Sequence, residues 1–96
     1  MKQLNFRKGD IVLYPFPHSD QSRGKLRPSL VLSQRMGEDI LLCQITSKRT
    51  NVTDYCVLVN STDTTLGQLR VDSYIKANKL FTAEACDIVK ILCRIN

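Results

Sequence analysis

The chain alternates between short apolar runs and clusters of turn-forming residues, a pattern typical of an all-β domain built from small strands. Pro15 and Pro17 should stop the first strand because proline has no N–H to donate, and Pro28 should stand at the start of the second strand. Residues 18–25 between them are polar, contain a glycine and predict an exposed loop. The runs that predict strands are residues 11–16, 29–33, 39–46, 55–59 and 70–81.

The segment from residue 83 to residue 95 supports two interpretations. Apolar residues recur at helical spacing from Ala85 to Ile95, behind a potential N-cap at Thr82. From Val89 onward, however, every second residue is apolar, as in a strand. Periodicity alone leaves helix and strand both open for this segment.

The length and the strand pattern together indicate the fold class. With 96 residues the chain is long enough for one domain, spanning residues 1–96, and too short for two. About five short strands with few helices predict a mainly β protein, a small barrel of twisted antiparallel strands. In such a barrel the strands hold the loops that form the binding surface.

The charge balance favours a polyanionic partner. Lysine and arginine number 14 against 9 acidic residues, a formal net charge of +5. This excess favours RNA, DNA or an acidic protein as partner, although solubility alone is the competing explanation. The N-terminal residues contain no apolar core of a signal peptide, and no run is long enough to cross a membrane. We therefore expect a cytoplasmic protein without a membrane partner.

The metal-ligating residue types do not form a recognisable site. None of Cys43, Cys56, Cys86 and Cys93 belongs to a C-x-x-C pair, and the single histidine, His18, is remote from them in sequence. This spacing predicts no metal site, and no cofactor is expected. Cys43 and Cys56 lie in apolar runs, so we expect them to be buried, reduced thiols.

Several short motifs occur in a characteristic order. G-D-I-V-L at residues 9–13 is followed by a polar loop with glycine, then by R-P-S-L-V-L-S at residues 27–33 and Q-I-T-S at residues 44–47. Over roughly residues 8 to 81 this order resembles the MazF/PemK family of bacterial toxins. The resemblance implies an SH3-like barrel that forms homodimers. It also implies a type II toxin: a sequence-specific, metal-independent endoribonuclease that cuts single-stranded RNA and is paired with an acidic antitoxin protein.

The resemblance assigns catalysis to Arg27, in the R-P motif, and to Thr46, at the end of the following strand. Without a metal, RNA is cut by its own 2′-OH, which attacks the adjacent phosphorus and leaves a 2′,3′-cyclic phosphate and a 5′-OH. A guanidinium can grip two oxygens of the five-coordinate phosphorus, and a hydroxyl can donate to the same group. Two structural explanations compete: Arg27 could form a salt bridge that caps its strand, and the Thr46 hydroxyl could satisfy a turn.

Other residues near these two are candidates for binding the RNA. Cations in the two loops bordering the pair could contact phosphates, and Tyr14 and Phe16 could stack on bases. His18 could assist as a base, although loop solvation or base stacking fits it better. The full set of candidate RNA-binding residues is His18, Ser22, Arg23, Lys25, Ser47, Lys48 and Arg49.

The chain also departs from the family pattern. Ser22 and Arg23 stand where the family often has a Glu-Gln pair, which should change the bases that flank the cut. Related chains usually continue into a C-terminal helix that this chain, which stops at Asn96, is expected to lack. By that alignment residues 91–95 form the last strand.

A second class of function stays open at this point. The same barrel could bind RNA without cutting it, or poison a protein target such as a topoisomerase, because a fold does not determine a function. A third interpretation is a structural subunit whose basic face meets an acidic partner. The pairing of Arg27 with Thr46 is what favours catalysis.

Overall fold

Seven antiparallel strands form one sheet in the computed structural model, which describes residues 5–17, 24–48, 54–69 and 71–95. The helical structure in these ranges consists of two 3-10 turns, Ser61–Asp63 and Ala85–Asp87. The strands are β1 (Asp10–Pro17), β2 (Gly24–Val31), β3 (Asp39–Thr46), β4 (Cys56–Val59), β5 (Thr64–Thr65), β6 (Ser73–Glu84) and β7 (Lys90–Ile95).

The strand order across the sheet is β4-β6-β3-β2-β1-β7-β5. The sheet curls into a nearly closed barrel, which confirms the predicted mainly β barrel. Because β7 pairs with β1, the end of the chain returns to its beginning. Within the described ranges, no helix has the length and apolarity needed to cross a membrane.

Strands β1 and β3, on either side of the central strand β2, both place buried residues on the two faces of the sheet. Ile11 and Cys43 belong to one apolar cluster, whereas their chain neighbours Val12 and Leu42 belong to another. Because successive strand residues point to opposite faces, a strand segment that is buried on both faces appears in the sequence as a continuous apolar run. This burial also holds Cys43 as a free thiol, as predicted, whereas Cys56 is only half-buried.

The predicted end of the first strand is wrong, because β1 runs through both prolines. Pro15 pairs with Leu26 and Pro17 with Gly24, whereas the ladder to β7 ends at Leu13. The proline nitrogens are therefore tolerated where β1 has a neighbour on one side only, as at a sheet edge.

The second strand begins earlier and ends earlier than its apolar run predicts. β2 starts at Gly24 and ends at Val31, so Pro28 and Arg27 both lie inside it. Its first half pairs with β1 alone, because the ladder to β3 begins only at Ser29. The rest of the expected loop, residues 18–23, lies outside the described residues.

The ambiguous C-terminal segment is a strand preceded by a single 3-10 turn. Lys90–Ile95 forms β7 and pairs with β1, with Ile11 opposite Cys93. The helical spacing from Ala85 arises because Ala85 and Ile88 are buried at the turn, before the alternation of the strand begins. Residues 91–95 are therefore the last strand, as the resemblance implied.

Candidate active site

A cleft of about 560 Å³ lies beyond the end of the β2–β3 ladder. We call it the basic cleft, because four of its lining residues are cationic. Its lining residues are Leu13, Lys25, Leu26, Arg27, Pro28, Ile45, Thr46, Ser47, Lys48, Gln68, Leu69, Val71, Ser73, Lys90 and Leu92.

Arg27 and Thr46 occupy equivalent positions on the two strands that separate at this cleft. The last pair of the β2–β3 ladder is Ser29 with Gln44. Arg27 precedes Ser29 by two residues, and Thr46 follows Gln44 by two residues. Antiparallel register therefore places both residues on facing strands, just past the point where the backbone hydrogen bonds stop. Side chains at that point can face a ligand instead of a neighbouring strand.

The half-buried Arg27 has no carboxylate partner in the described part of the chain. The salt bridge formed there joins Arg94 to Asp10 and leaves Arg27 out. Across the β1–β2 ladder, Arg27 lies opposite Tyr14. A strand-capping salt bridge, the structural explanation for Arg27, therefore has no support among these residues. An arginine held by its strand without an internal anion is suited to an external one.

Thr46 combines a structural contact with a remaining donor. It is buried, and the backbone N–H of Lys48 donates to its Oγ1 over 3.2 Å. This contact is the turn interaction that the structural explanation expects. A hydroxyl both accepts and donates, so accepting from Lys48 leaves the O–H proton of Thr46 available to a ligand in the cleft. The same contact fixes the position of the oxygen.

The charges in the basic cleft are all of one sign among its described lining residues. Lys25, Lys48 and Lys90 accompany Arg27, and no aspartate, glutamate, histidine or cysteine lines the cleft with them. Their field raises the local concentration of anions. Since carboxylates, imidazoles and thiolates are the side chains that bind metal ions in proteins, these residues offer no metal site.

Five of the nine site residues predicted from sequence line the cleft: Lys25, Arg27, Thr46, Ser47 and Lys48. The remaining four, His18, Ser22, Arg23 and Arg49, lie outside the described residues.

No motif or spacing in the sequence pointed to Gln68, Ser73 or Lys90, which also line the cleft. Lys90 comes to it because β7 folds back on β1, where Lys90 pairs with Leu13. Only this long-range pairing distinguishes Lys90 from any other exposed lysine.

A second, smaller groove is formed around three aromatic rings. Tyr14, Phe16 and Phe81 contact one another with ring centroids 5.2 to 5.5 Å apart. Together with Gln44, Lys79 and Leu80 they line the groove. Phe16 lies opposite Lys25 in the β1–β2 ladder, as Tyr14 lies opposite Arg27. Burial, aided by the negative charges of Asp87 and Glu84, raises the pKa of Tyr14, so its phenol stays neutral.

A buried ion pair lies elsewhere on the same sheet. The Nε of Arg94, on β7, donates to Oδ1 of Asp10 over 2.5 Å, and the Arg7 backbone N–H donates to Oδ2 over 2.9 Å. Burial alone would raise the pKa of Asp10, but these hydrogen bonds and the arginine charges outweigh it and lower the pKa. This pair ties the first strand to the last.

The possible metal ligands that the described residues bring together lie outside the basic cleft. Glu84, Cys86 and Asp87 carry ligand atoms within 4.8 Å of one another, and all three are exposed. Local desolvation and the nearby carboxylates raise the pKa of the Cys86 thiol. None of the three lines the basic cleft.

The fold and the cleft define a small β-barrel with a cationic cleft that no acidic residue lines in the described part of the chain. The family model of the PemK-like, MazF-like toxin of type II toxin-antitoxin system matches residues 7–96. The chain belongs to this family, so its role is that of a toxin with an antitoxin partner. No curated protein matches the sequence significantly.

Proposed function

We propose that this toxin is a metal-independent endoribonuclease that cuts single-stranded RNA at specific sequences. The observation that carries the proposal is the basic cleft, where Arg27 has no carboxylate partner and no described acid accompanies the four cations. A phosphodiester brings the charge that such a site lacks. The aromatic rings opposite Arg27 and Lys25 support a single-stranded substrate, because unpaired bases stack on such rings.

In the proposed reaction the ribose 2′-oxygen forms a bond to the adjacent phosphorus, and the bond from phosphorus to the 5′-oxygen breaks. The products are a 2′,3′-cyclic phosphate and a 5′-hydroxyl. Arg27 donates hydrogen bonds to the phosphoryl oxygens, whose negative charge grows in the transition state, and the Thr46 hydroxyl donates a hydrogen bond to one of them. The departing 5′-oxygen takes a proton from water, while Arg27 stays protonated throughout.

The proton of the 2′-OH passes to solvent hydroxide in this mechanism, since no carboxylate or imidazole is among the described lining residues. The cleavage rate should therefore keep rising between pH 6 and pH 8, and His18→Ala should keep that profile. A rate that levels off near the ordinary histidine pKa of ~6.5, with the plateau abolished by His18→Ala, would assign the base to His18 instead.

The proposal extends to the partners and the location of the protein. We propose that residues 1–96 form one domain that dimerises with a second copy and acts in the cytoplasm, where its RNA is found. An acidic segment of the antitoxin would inhibit the toxin by lying across the basic cleft, since its charge complements the four cations. Inhibition would then be occlusion of the substrate site.

The decisive experiment is cleavage of end-labelled single-stranded RNA by the purified protein in EDTA. We expect cutting at discrete sites with cyclic-phosphate ends, and a loss of about 10²–10³-fold in rate for Arg27→Ala. Thr46→Val should lose rate too, whereas Thr46→Ser should keep most of it. Intact RNA that nevertheless binds in the cleft would favour the non-catalytic barrel, and full activity of Arg27→Ala would remove Arg27 from the mechanism.

A further inference from the structure

Gln68 is the one carboxamide side chain that lines the basic cleft in the part of the chain described by the structure. It is exposed, and no hydrogen-bond partner for its amide is found among the described residues. A primary amide presents a donor and an acceptor side by side, which lysine and arginine do not. Gln68 can therefore distinguish bases by their edges, whereas the cations recognise only the backbone.

The backbone just before Gln68 is held in an unusual conformation. Leu66 has a φ of 60°, which non-glycine residues rarely adopt, although its side chain is 74% exposed and gains little from packing. Gly67 follows with a φ of 143°, and a Cβ at Gly67 would collide with the carbonyl oxygen of Leu92. The turn is thus pressed against β7. A surface turn that keeps a strained backbone without a packing benefit points to a function for the residue that it positions, here Gln68.

Contacts on both sides fix the position of Gln68. The hydroxyl of Thr64 donates to the carbonyl of Gly67 over 3.2 Å, and Thr64 itself pairs with Ile95 on β7. On the other side Leu69 is buried in the apolar cluster that contains Cys43. These contacts fix the backbone from which the side chain of Gln68 reaches the cleft.

We propose that Gln68 recognises a base next to the scissile phosphate, and that this base is adenine. The amide accepts from the N6 amino group and donates to N7, the bidentate pairing that glutamine makes with adenine and that cytosine, which lacks N7, cannot offer. In single-stranded RNA this edge is accessible because the base is unpaired. The inference rests on the proposed function, since the cations of the basic cleft must hold the phosphate while Gln68 contacts the neighbouring base.

The test is sequencing of the cleavage sites that the protein makes in a random single-stranded RNA pool. We expect adenine at one fixed position for the wild-type protein. Gln68→Leu should remove that preference and lower the rate at the best site about 10-fold or more. Gln68→Glu should weaken the preference for adenine, because a carboxylate has no N–H to donate to N7. Gln34→Leu, the same change at an exposed glutamine outside the cleft, is the matched control.

A wild-type pattern without adenine, or one that Gln68→Leu leaves unchanged, would overturn the inference. RNA selected from the same pool by binding to Arg27→Ala separates this result from failure of the nuclease. If binding to Arg27→Ala enriches adenine, and the double variant Arg27→Ala with Gln68→Leu loses that enrichment, the recognition role is supported even if the wild-type protein cuts nothing. If Gln68→Leu cuts RNA efficiently with an unchanged pattern, the proposed nuclease activity stands and Gln68 does not recognise the base.

Discussion

Arg27 and Arg94 are both half-buried arginines on strands, yet their guanidinium groups have opposite surroundings. Arg94 is held by the buried carboxylate of Asp10 and joins the two ends of the chain. Arg27 lines a cleft in which no described residue is acidic. An arginine whose charge is neutralised internally stabilises a fold, whereas one without an internal partner is available to an anionic ligand. Arg94 therefore stabilises the fold, and Arg27 is the arginine that we propose for function.

The largest expected effect is on catalysis and concerns Arg27 alone. Arg27→Ala should lower the cleavage rate about 10²–10³-fold, and Arg27→Lys should restore little because a point charge lacks the planar fork. Arg94→Lys is the matched control and should leave the rate per folded molecule unchanged. Single-turnover kinetics on one RNA would measure the cleavage rates of these variants. Equal losses of rate at Arg27 and Arg94 would show that the two arginines do not differ in their role.

The next effect is on stability and concerns Arg94. Arg94→Ala leaves the carboxylate of Asp10 buried without its partner, so we expect Tm to fall by on the order of 10 °C. Arg27→Ala removes no ion pair among the described residues, and its Tm should be unchanged or slightly raised, since one like charge leaves the cleft. Differential scanning calorimetry of both variants tests this. A lower Tm for Arg27→Ala than for Arg94→Ala would reverse the assignment.

A smaller effect is the acid sensitivity that the ion pair gives to the fold. The pKa of Asp10 is lowered in the folded protein, so its ionised carboxylate stabilises the fold fully above the unfolded pKa of about 4. That contribution is lost as the pH falls from about 4 through the lower folded pKa. Thermal melts between pH 2 and pH 6 should therefore show a drop that Asp10→Asn flattens. Asp54→Asn, at an exposed aspartate, should leave the drop in place.

The smallest effect concerns the lysines that accompany Arg27. Lys90→Ala should reduce the slope of log affinity for single-stranded RNA against log salt by about 0.7, the value for one phosphate contact. Lys8→Ala, at an exposed lysine outside the cleft, should leave the slope unchanged. Fluorescence anisotropy at several salt concentrations measures both slopes. Identical slopes for Lys90→Ala and the wild-type protein would show that Lys90 does not contact a phosphate of the RNA.

Much of the fold could be predicted locally, and the exceptions have physical causes. β3 was predicted with its observed bounds, because burial on both faces leaves an uninterrupted apolar run between two turns. The end of β1 was misplaced because the tolerance of Pro15 and Pro17 depends on which side of the strand has a neighbour. β5, with two residues, is too short to show any alternation.

The residues of the candidate site also differ in whether local sequence could predict them. Arg27 and Thr46 were found through motifs, and Lys25, Ser47 and Lys48 through their closeness to that pair in the chain. Gln68 and Lys90 had no such signal, because what brings them to the cleft is the pairing of β5 and β1 with β7.

The sequence by itself determined the short β-strands, the excess of positive charge and the motifs that mark the family, since these depend on residues close together in the chain. The tertiary structure alone decided which arginine receives a carboxylate and which lines a cleft. Arg94 meets Asp10 because β7 returns to β1, and Arg27 lies in a cleft because β2 and β3 separate beyond Ser29. Both results come from strand pairing between distant segments, which local patterns do not encode.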